Sequence, residues 1–250
     1  IYDHAGKINL NRIQRRSMQL LIEKRLGGQE ADPEQVQELL AAWTDWTDLN
    51  DLQSLEGAER EYYQSLDQPY SPRNNPELDT VEEMLHIRGF AELFEGINLD
   101  AAFTIYGNDR SINLNLATRE AMQLLPGLND ELIETIIAMR EIEDIDNRAE
   151  MAEIIPLENL VELSDWVGNN TSLYYSVFVY PKMEPDETGR QELLDAEGFP
   201  LNPDPVNQAY MEIIEVRGYN NLPRVYKIDP YAHLPDTAPA RIEKYEIRLD

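Results

Sequence analysis

The spacing of apolar residues changes once along this chain, close to Asn169 and Asn170, and that change limits the folds open to it. Up to about Asp165, apolar residues recur every three or four positions, which predicts amphipathic helices. Beyond Asn170 they alternate with polar residues, which predicts antiparallel strands with one face in water. The chain therefore predicts an α+β fold in which a helical block lies between a short N-terminal strand and a C-terminal set of strands.

Four C-terminal strands are predicted, at 174–180, 210–216, 224–228 and 242–249. A loop rich in proline and acidic residues is predicted at 183–208. In the helical block the apolar sets with helical spacing are Met18, Leu21 and Ile22; Val36, Leu39, Leu40 and Trp43; Val81, Met84 and Leu85; and Leu132, Ile133, Ile136 and Ile137.

An internal repeat lies within the helical block. Residues 8–21 and 112–125 are identical at nine of fourteen positions, and each copy begins with Ile-Asn-Leu-Asn and ends with Met-Gln-Leu-Leu. Each copy reads as an extended segment that leads into an amphipathic helix, with an asparagine or threonine available as the helix cap.

Charge and composition exclude several kinds of site. The net charge is −27, and residues 28–165 contribute 32 acidic residues against seven basic ones. Nucleic-acid binding depends on clustered lysine and arginine, which this region lacks. There is no cysteine, which excludes thiol catalysis, disulfides and cysteine-bound zinc. No apolar run approaches the roughly 20 residues of a membrane span.

Acidic side chains are densest at residues 45–61, with Trp46 among them and Tyr62 and Tyr63 directly after them. Oxygen ligands in an irregular segment suit a hard cation such as Ca²⁺, although the segment lacks the glycine and spacing of an EF-hand loop. Two interpretations stay open from the residues alone: a calcium site, or a helix end with a solvated acidic face.

The motifs leave two other functions open. The segment 124–133, with Pro126-Gly127 at its centre, is similar to a helix-hairpin-helix, which in some proteins binds DNA. Here Asn129, Asp130 and Glu131 follow the turn, and acidic side chains there repel a phosphate, so we interpret the hairpin as a packing device. A carboxylate-based hydrolase is the other alternative, but in a chain with 48 acidic residues any carboxylate pair is uninformative.

Several motifs occur in an order that resembles one protein family. They are Gly6-Lys7-Ile8-Asn9-Leu10-Asn11, Asp45-Trp46-Thr47-Asp48-Leu49-Asn50, Gly57-Ala58-Glu59 with Tyr62-Tyr63, Tyr70 with Asn74-Asn75-Pro76, Glu82-Glu83-Met84-Leu85 with Arg88-Gly89, and Ile112-Asn113-Leu114-Asn115 with Ala117-Thr118. Together they resemble the general secretion pathway protein K family, the large minor pseudopilins of bacterial type II secretion. The resemblance covers roughly residues 1–180, and beyond that only the strand pattern agrees.

The resemblance implies a pilin-like antiparallel sheet with a large, mostly helical domain inserted. The first strand of the sheet is expected at 1–10, the acidic helical domain at 11–168, and the other strands at 169–250. It also implies a transmembrane helix before Ile1, so that this region lies in the periplasm and is held at the inner membrane only through that helix.

The same resemblance implies a role and partners. The expected role is that of a non-enzymatic subunit at the tip of the pseudopilus, which caps or initiates the fibre together with minor pseudopilins I and J, and with pseudopilin H as a further partner. No binding of nucleic acid is expected. The competing hypothesis is a DNA-uptake or other helix-hairpin-helix protein, because such proteins share the Ile-Asn-x-Asn and Leu-Pro-Gly features.

Calcium binding in the helical domain is a further implication of the resemblance. Its leading ligands on this chain are Asp48, Asn50 and Glu59, and the remaining candidates are Asp45, Asp51, Glu56 and Glu61. The family usually has aspartate where Asn50 stands. The exchange removes one charge, although an amide carbonyl oxygen still coordinates calcium.

Overall fold

The computed structural model describes residues 1–72, 74–179, 208–218 and 220–236 of the 250-residue chain. Contacts divide these residues into two compact units. One is helical and comprises Tyr2–Ser172 together with Pro235 and Asp236. The other is a sheet and comprises Leu173–Leu234 together with Ile1. Within the described residues, no helix has both the length and the apolar content that crossing a bilayer requires.

The helical unit contains nine α-helices among its described residues: α1 (Arg15–Arg25), α2 (Pro33–Thr47), α3 (Arg60–Gln64), α4 (Phe90–Leu93), α5 (Leu99–Ala102), α6 (Arg119–Leu124), α7 (Asp130–Arg140), α8 (Arg148–Ile154) and α9 (Leu157–Leu163). Short 3-10 turns lie at His4–Gly6, Gly28–Glu30 and Glu82–His86. Its strands are β1 (Tyr2–Asp3), β2 (Ile8–Asn9) and β3 (Phe103–Thr104), and β2 pairs with β3 in parallel.

The longest helix, α2, follows directly from its local sequence. Asp32 accepts a hydrogen bond from the Glu34 N–H, and Pro33 occupies the first turn, where its missing N–H costs nothing. Its predicted apolar set is buried, and Trp43 stacks on Phe90 with 5.8 Å between the ring centroids. The predicted sets of α1 and α7 also lie on helices, which confirms the helical spacing.

Between α2 and α6 the chain is less helical than its apolar spacing predicts. The helical segments there have five residues or fewer, and Val81, Met84 and Leu85 lie on or beside a 3-10 turn. Proline at 69, 72 and 76 keeps a helix from continuing through that stretch, because proline lacks the N–H that a continuing helix needs. These segments are irregular, yet Val81 and Met84 are buried.

The internal repeat is a pair of equivalent asparagine clamps. Asn11 binds both backbone groups of Leu78: its Oδ1 accepts from the N–H at 2.7 Å and its Nδ2 donates to the carbonyl at 3.0 Å. Asn115 binds Ile145 in the same way, at 2.9 and 3.1 Å. Each clamp satisfies the backbone of an irregular segment that has no secondary-structure partner of its own.

The other asparagine of each copy holds its clamp in place. The Asn9 Oδ1 accepts from the Asn11 N–H at 3.1 Å, and the Asn113 Oδ1 accepts from the Asn115 N–H at 3.0 Å. The predicted caps are confirmed in one copy only. Thr118 caps α6, whereas α1 has no side-chain cap, because Gln14 stands at the equivalent position in the first copy.

The sheet unit confirms three of the predicted strands, as β4 (Tyr174–Val179), β5 (Gln208–Glu215) and β6 (Arg224–His233). β4 pairs with β5 and β5 with β6, both antiparallel, with Ser176 opposite Ile213 and Ile213 opposite Lys227. β6 runs five residues beyond its predicted end at Ile228. The alternation holds in β5, where Ala209, Met211 and Ile213 are buried on one face.

Two predictions of the sheet stay open. The predicted strand at 242–249 lies outside the described residues. The predicted loop at 183–208 also lies outside them, apart from its last residue, Gln208, which begins β5. The assignment of residues 1–10 and 169–250 to one pilin-like sheet, with 11–168 inserted, remains a prediction.

The clamps generate a stability prediction. Asn11→Ala removes both bonds to Leu78, a residue with 3% of its surface exposed, and leaves that buried backbone unsatisfied. We expect the free energy of unfolding to fall by about 1–3 kcal/mol. Denaturant unfolding measures this change, with Asn108→Ala as control, since Asn108 is exposed and bonds the half-buried side chain of Arg12. Equal effects of the two substitutions contradict a clamp.

Candidate metal centre

The centre of the acidic segment is the C-terminal end of α2. Asp45 lies in the last turn of this helix with 0% of its surface exposed, and Asp48 follows the last helical residue in an extended conformation. The last turn contains no basic residue. Both carboxylates therefore lie where the helix dipole places partial negative charge, an arrangement that needs a compensating positive charge.

The chain then turns back on the Asp45 carboxylate. The Ser54 N–H donates to both of its oxygens, at 3.2 and 3.1 Å, and closes the loop that begins at Asp48. Gly57 lies so close that a Cβ there would be 1.9 Å from the Asp45 Oδ2. Only glycine lets the backbone pass at this distance, so Gly57 is a positioning residue of the centre.

Glu59 completes the centre from the other end of the loop. It occupies the position before α3, yet its side chain makes no capping hydrogen bond to that helix. Glu59 has 3% of its surface exposed, and among the described residues neither of its buried carboxylate oxygens has a hydrogen-bond partner. A buried carboxylate with no donor is costly, so these oxygens suit the binding of a cation.

The three carboxylates converge on one point. One oxygen each from Asp45, Asp48 and Glu59 lies within 4.8 Å of the other two. Ligands at 2.3–2.6 Å from a central calcium ion are spaced this closely, and a set made only of oxygens suits a hard cation. The residues present therefore fit calcium, with further ligands left to backbone carbonyls and water.

The electrostatics of the site agree with this geometry. Burial, and then repulsion from Asp45, raise the pKa of the Glu59 carboxyl to about 7. Asp48 and Asp51 add to the repulsion. A cation between the carboxylates reverses this effect and favours the ionised form.

An aromatic cluster holds the two ends of the site together. The rings of Trp46 on α2 and Tyr63 on α3 meet edge to face at 5.1 Å, and Tyr70 lies against both. The Trp46 Nε1 donates to Glu83 at 3.1 Å. Trp43 and Trp46 are thus core anchors, and they fix the direction in which Asp45 leaves the helix.

The other four predicted ligands lie outside this convergent group. The Asn50 Oδ1 accepts from the Leu52 N–H at 2.8 Å, and Asp51 pairs with Arg60 at 3.1 Å. Glu56 and Glu61 are exposed, and Glu56 has a positive φ of 62°. Of the leading predicted ligands, the structure therefore places Asp48 and Glu59 together, and it adds Asp45 from the wider set.

Two positioning residues were missed by the sequence reasoning. Asn74 donates to the Asn50 carbonyl at 2.8 Å and to Asp51 at 2.9 Å, and Arg88 donates to the Glu56 carbonyl. Both bind backbone far away in the chain, and no local pattern identifies such contacts. In the sequence, Asn74 and Arg88 are marked only by their places in the motifs that resemble the protein K family.

The hairpin between α6 and α7 packs against its own protein. A Cβ at Gly127, whose φ is +75°, would lie 2.7 Å from the Asn159 carbonyl, and the Asn159 Nδ2 donates to the Gly127 carbonyl at 2.7 Å. Asn129 caps α7 at 2.9 Å. The turn is therefore covered by α9, which agrees with its interpretation as a packing device.

A cavity of about 310 Å³ lies apart from the carboxylate centre. It is lined by the start of α1 and by residues from Asn108 to Ser111, with Asp165 and Trp166. Its two carboxylates, on Asp109 and Asp165, are both exposed, whereas the general acid of a glycosidase sits in an apolar environment. The hydrolase hypothesis gains no support from it.

Comparisons with known proteins agree with the motifs. Residues 6–94 match the family model for protein K of the type II secretion system (T2SS). The fold is similar to a chain of the crystal structure of the GspK-GspI-GspJ complex from the enterotoxigenic Escherichia coli type 2 secretion system, with 13% identity and a TM-score of 0.56. That likeness covers 91% of this chain and 77% of the other. A search of curated proteins found no match.

The raised pKa of Glu59 predicts a pH dependence of stability in the metal-free protein. A carboxyl whose folded pKa exceeds its unfolded value of 4.5 holds its proton longer in the folded state, so stability falls as pH rises from 4.5 to about 7. Glu59→Gln removes this loss of stability, because glutamine has no proton to release in this pH range. We expect the variant to gain melting temperature over wild type at about pH 8 and to gain little at about pH 5.

Thermal melts in the presence of a chelator measure this effect. Glu61→Gln, at an exposed carboxylate of the same segment, is the matched control and corrects for the change in net charge. A gain for Glu59→Gln that is the same at both pH values, or that the control reproduces, contradicts a shifted pKa at Glu59.

Proposed function

We propose, from the membership of residues 6–94 in the type II secretion system protein K family, that this protein is a non-enzymatic minor pseudopilin. The family match carries the proposal, and the fold similarity over 91% of the chain supports it. On this proposal the protein acts at the tip of the pseudopilus, where it caps or initiates the fibre with minor pseudopilins I and J.

The partners are proposed from the structural neighbour, which was crystallised as a complex of GspK with GspI and GspJ. Acidic charge supports the capping role. A subunit that ends a fibre must not present a surface that extends it, and residues 28–165 carry 32 acidic against seven basic residues. A lobe with this charge repels a further copy of itself.

The proposed arrangement places the helical domain, residues 11–168, as an insertion in a pilin-like sheet formed by residues 1–10 and 169–250. A transmembrane helix before Ile1 would hold this region at the bacterial inner membrane, with the described units in the periplasm. The mixed architecture of helices and an antiparallel sheet supports this arrangement.

We also propose that Asp45, Asp48 and Glu59 hold calcium. When bound, the ion supplies the positive charge that the three carboxylates and the end of α2 lack. The protein's own part is to orient the ligands: Ser54 holds Asp45, Gly57 leaves room for its carboxylate, and the Trp46–Tyr63 contact keeps α2 against α3. The role of the site is structural, because it joins the ends of a long loop.

Calcium should therefore raise the melting temperature, since a ligand that binds only the folded state stabilises it by about 2.7 kcal/mol at a hundredfold excess over Kd. Asp48→Asn removes one charged ligand and should abolish most of that rise. Asp67→Asn, at an exposed carboxylate near the same segment, is the control and should keep the full rise.

Melting curves with calcium and with chelator make this comparison, and calorimetric titration gives the affinity directly. Affinity should increase as the pH rises through about 7, because the ion displaces the proton of Glu59. An unchanged melting temperature in calcium rejects the site but leaves the family membership intact.

Assembly with pseudopilins I and J tests the proposed role. The periplasmic regions of I and J from the same organism, mixed with this chain, should co-elute with it in size-exclusion chromatography, whereas the major pseudopilin should not. Failure to form a complex with I and J, at concentrations where I and J bind each other, contradicts the proposed tip assembly.

The alternative DNA-binding function is tested in parallel by a mobility-shift assay at low salt. No binding is expected, because the hairpin turn is packed against α9 and is followed by acidic residues. Tight binding of DNA would overturn the proposed function in favour of the helix-hairpin-helix alternative.

A further inference from the structure

The loop between α2 and α3 exposes three large apolar side chains. Leu49, Leu52 and Leu55 have 76%, 79% and 90% of their surface exposed. All three lie within residues 48–56, which we call the leucine loop. Single exposed leucines are ordinary on protein surfaces, but three within nine residues concentrate apolar surface on one short loop, which indicates a binding partner.

The leucine loop is held in a defined shape. Asp48 and Asn50 side chains accept from the N–H groups two residues ahead, at 2.9 and 2.8 Å. The Gln53 Nε2 donates to the Gly57 carbonyl at 2.9 Å. Asn74 and Arg88 bind the backbone of Asn50 and Glu56 from elsewhere in the fold. A loop tied at both ends and in its middle cannot easily fold its leucines inward.

This rigidity favours binding. Leucines that are already presented lose little conformational freedom when a partner covers them, so more of the burial energy is available for affinity. In a mobile loop the same leucines would collapse onto the protein and would not project.

Charge around the leucines narrows the choice of partner. Outside the carboxylate centre, residues 45–61 expose three acidic side chains, Asp51, Glu56 and Glu61, and one basic side chain, Arg60. A bilayer with anionic lipids is repelled by this rim, and a second copy of a chain with a net charge of −27 is repelled as well. A protein surface with an apolar groove and basic edges matches both the leucines and the rim.

We propose that the leucine loop is a docking surface for a protein that presents an apolar groove bordered by lysine or arginine. The three leucines fill the groove, and Asp51 and the exposed Glu56 and Glu61 face its basic edges. This surface is additional to any assembly with pseudopilins I and J, and the proposal depends neither on that assembly nor on the identity of the bound cation.

The test uses a synthetic amphipathic peptide with leucine on one face and lysine on the other. A second peptide, with glutamate in place of lysine, is the charge control. Binding to the whole chain is measured by fluorescence anisotropy in calcium-containing buffer at physiological ionic strength. The loop variant combines Leu49→Ser, Leu52→Ser and Leu55→Ser. The matched control combines Leu157→Ser, Val161→Ser and Leu222→Ser, at residues with 73%, 61% and 93% exposure.

We expect the lysine peptide to bind wild type, and the loop variant to bind at least about tenfold more weakly, while the control stays within about twofold of wild type. The glutamate peptide should not bind. Because all six positions are exposed, both variants should keep the wild-type melting curve. If the triple loop variant loses its fold, Leu55→Ser alone replaces it and should still weaken binding.

Three outcomes overturn the proposal. Equal binding by wild type and loop variant would show that charge alone attracts the peptide. Binding to phosphatidylcholine vesicles, with or without phosphatidylglycerol, that depends on the leucines would assign the loop to a membrane. Leucine-dependent dimerisation in analytical ultracentrifugation would assign it to a second copy of the chain.

Discussion

Repulsion among three carboxylates, two of them buried, is the constraint around which this part of the helical unit is organised. Asp45, Asp48 and Glu59 meet at the negative end of α2, where the helix dipole opposes each of them. In the part of the chain that the structure describes, the Ser54 N–H donates to Asp45, and the carboxylate oxygens of Glu59 have no hydrogen-bond partner. A cation between the three carboxylates would supply the compensating positive charge, and this is why we propose calcium at this site.

The leucine loop depends on the same constraint. It lies between Asp48 and Glu59, two of the carboxylates that repel each other. Gly57, directly after the loop, is required because the backbone passes against Asp45 there. The loop is then free of any packing role, so its apolar residues project outward. The carboxylate centre thereby fixes the conformation of the leucine loop, whose leucines contribute nothing to the core.

Elsewhere in the helical unit, neutral asparagine side chains satisfy backbone groups that would otherwise lack partners. Long irregular segments carry backbone donors and acceptors that no helix satisfies, and the asparagine clamps at Asn11 and Asn115 satisfy them across 67 and 30 residues of sequence. The repeated Ile-Asn-Leu-Asn was visible in the sequence as a repeat. Its function as a clamp was not, because the partners, Leu78 and Ile145, have no side-chain feature that marks them.

The sequence by itself determined the properties that depend on near neighbours: the helices α1, α2 and α7, three antiparallel strands, the cap at Thr118, and a set of seven candidate oxygen ligands within seventeen residues. Apolar spacing and capping act over a few residues, and so they can be read directly. Only the tertiary structure decided which three of the seven carboxylates and amides converge, that Asn11 binds Leu78 rather than caps α1, and that the leucines between Asp48 and Glu56 face water. These outcomes depend on contacts between distant segments, whose energies no local pattern contains.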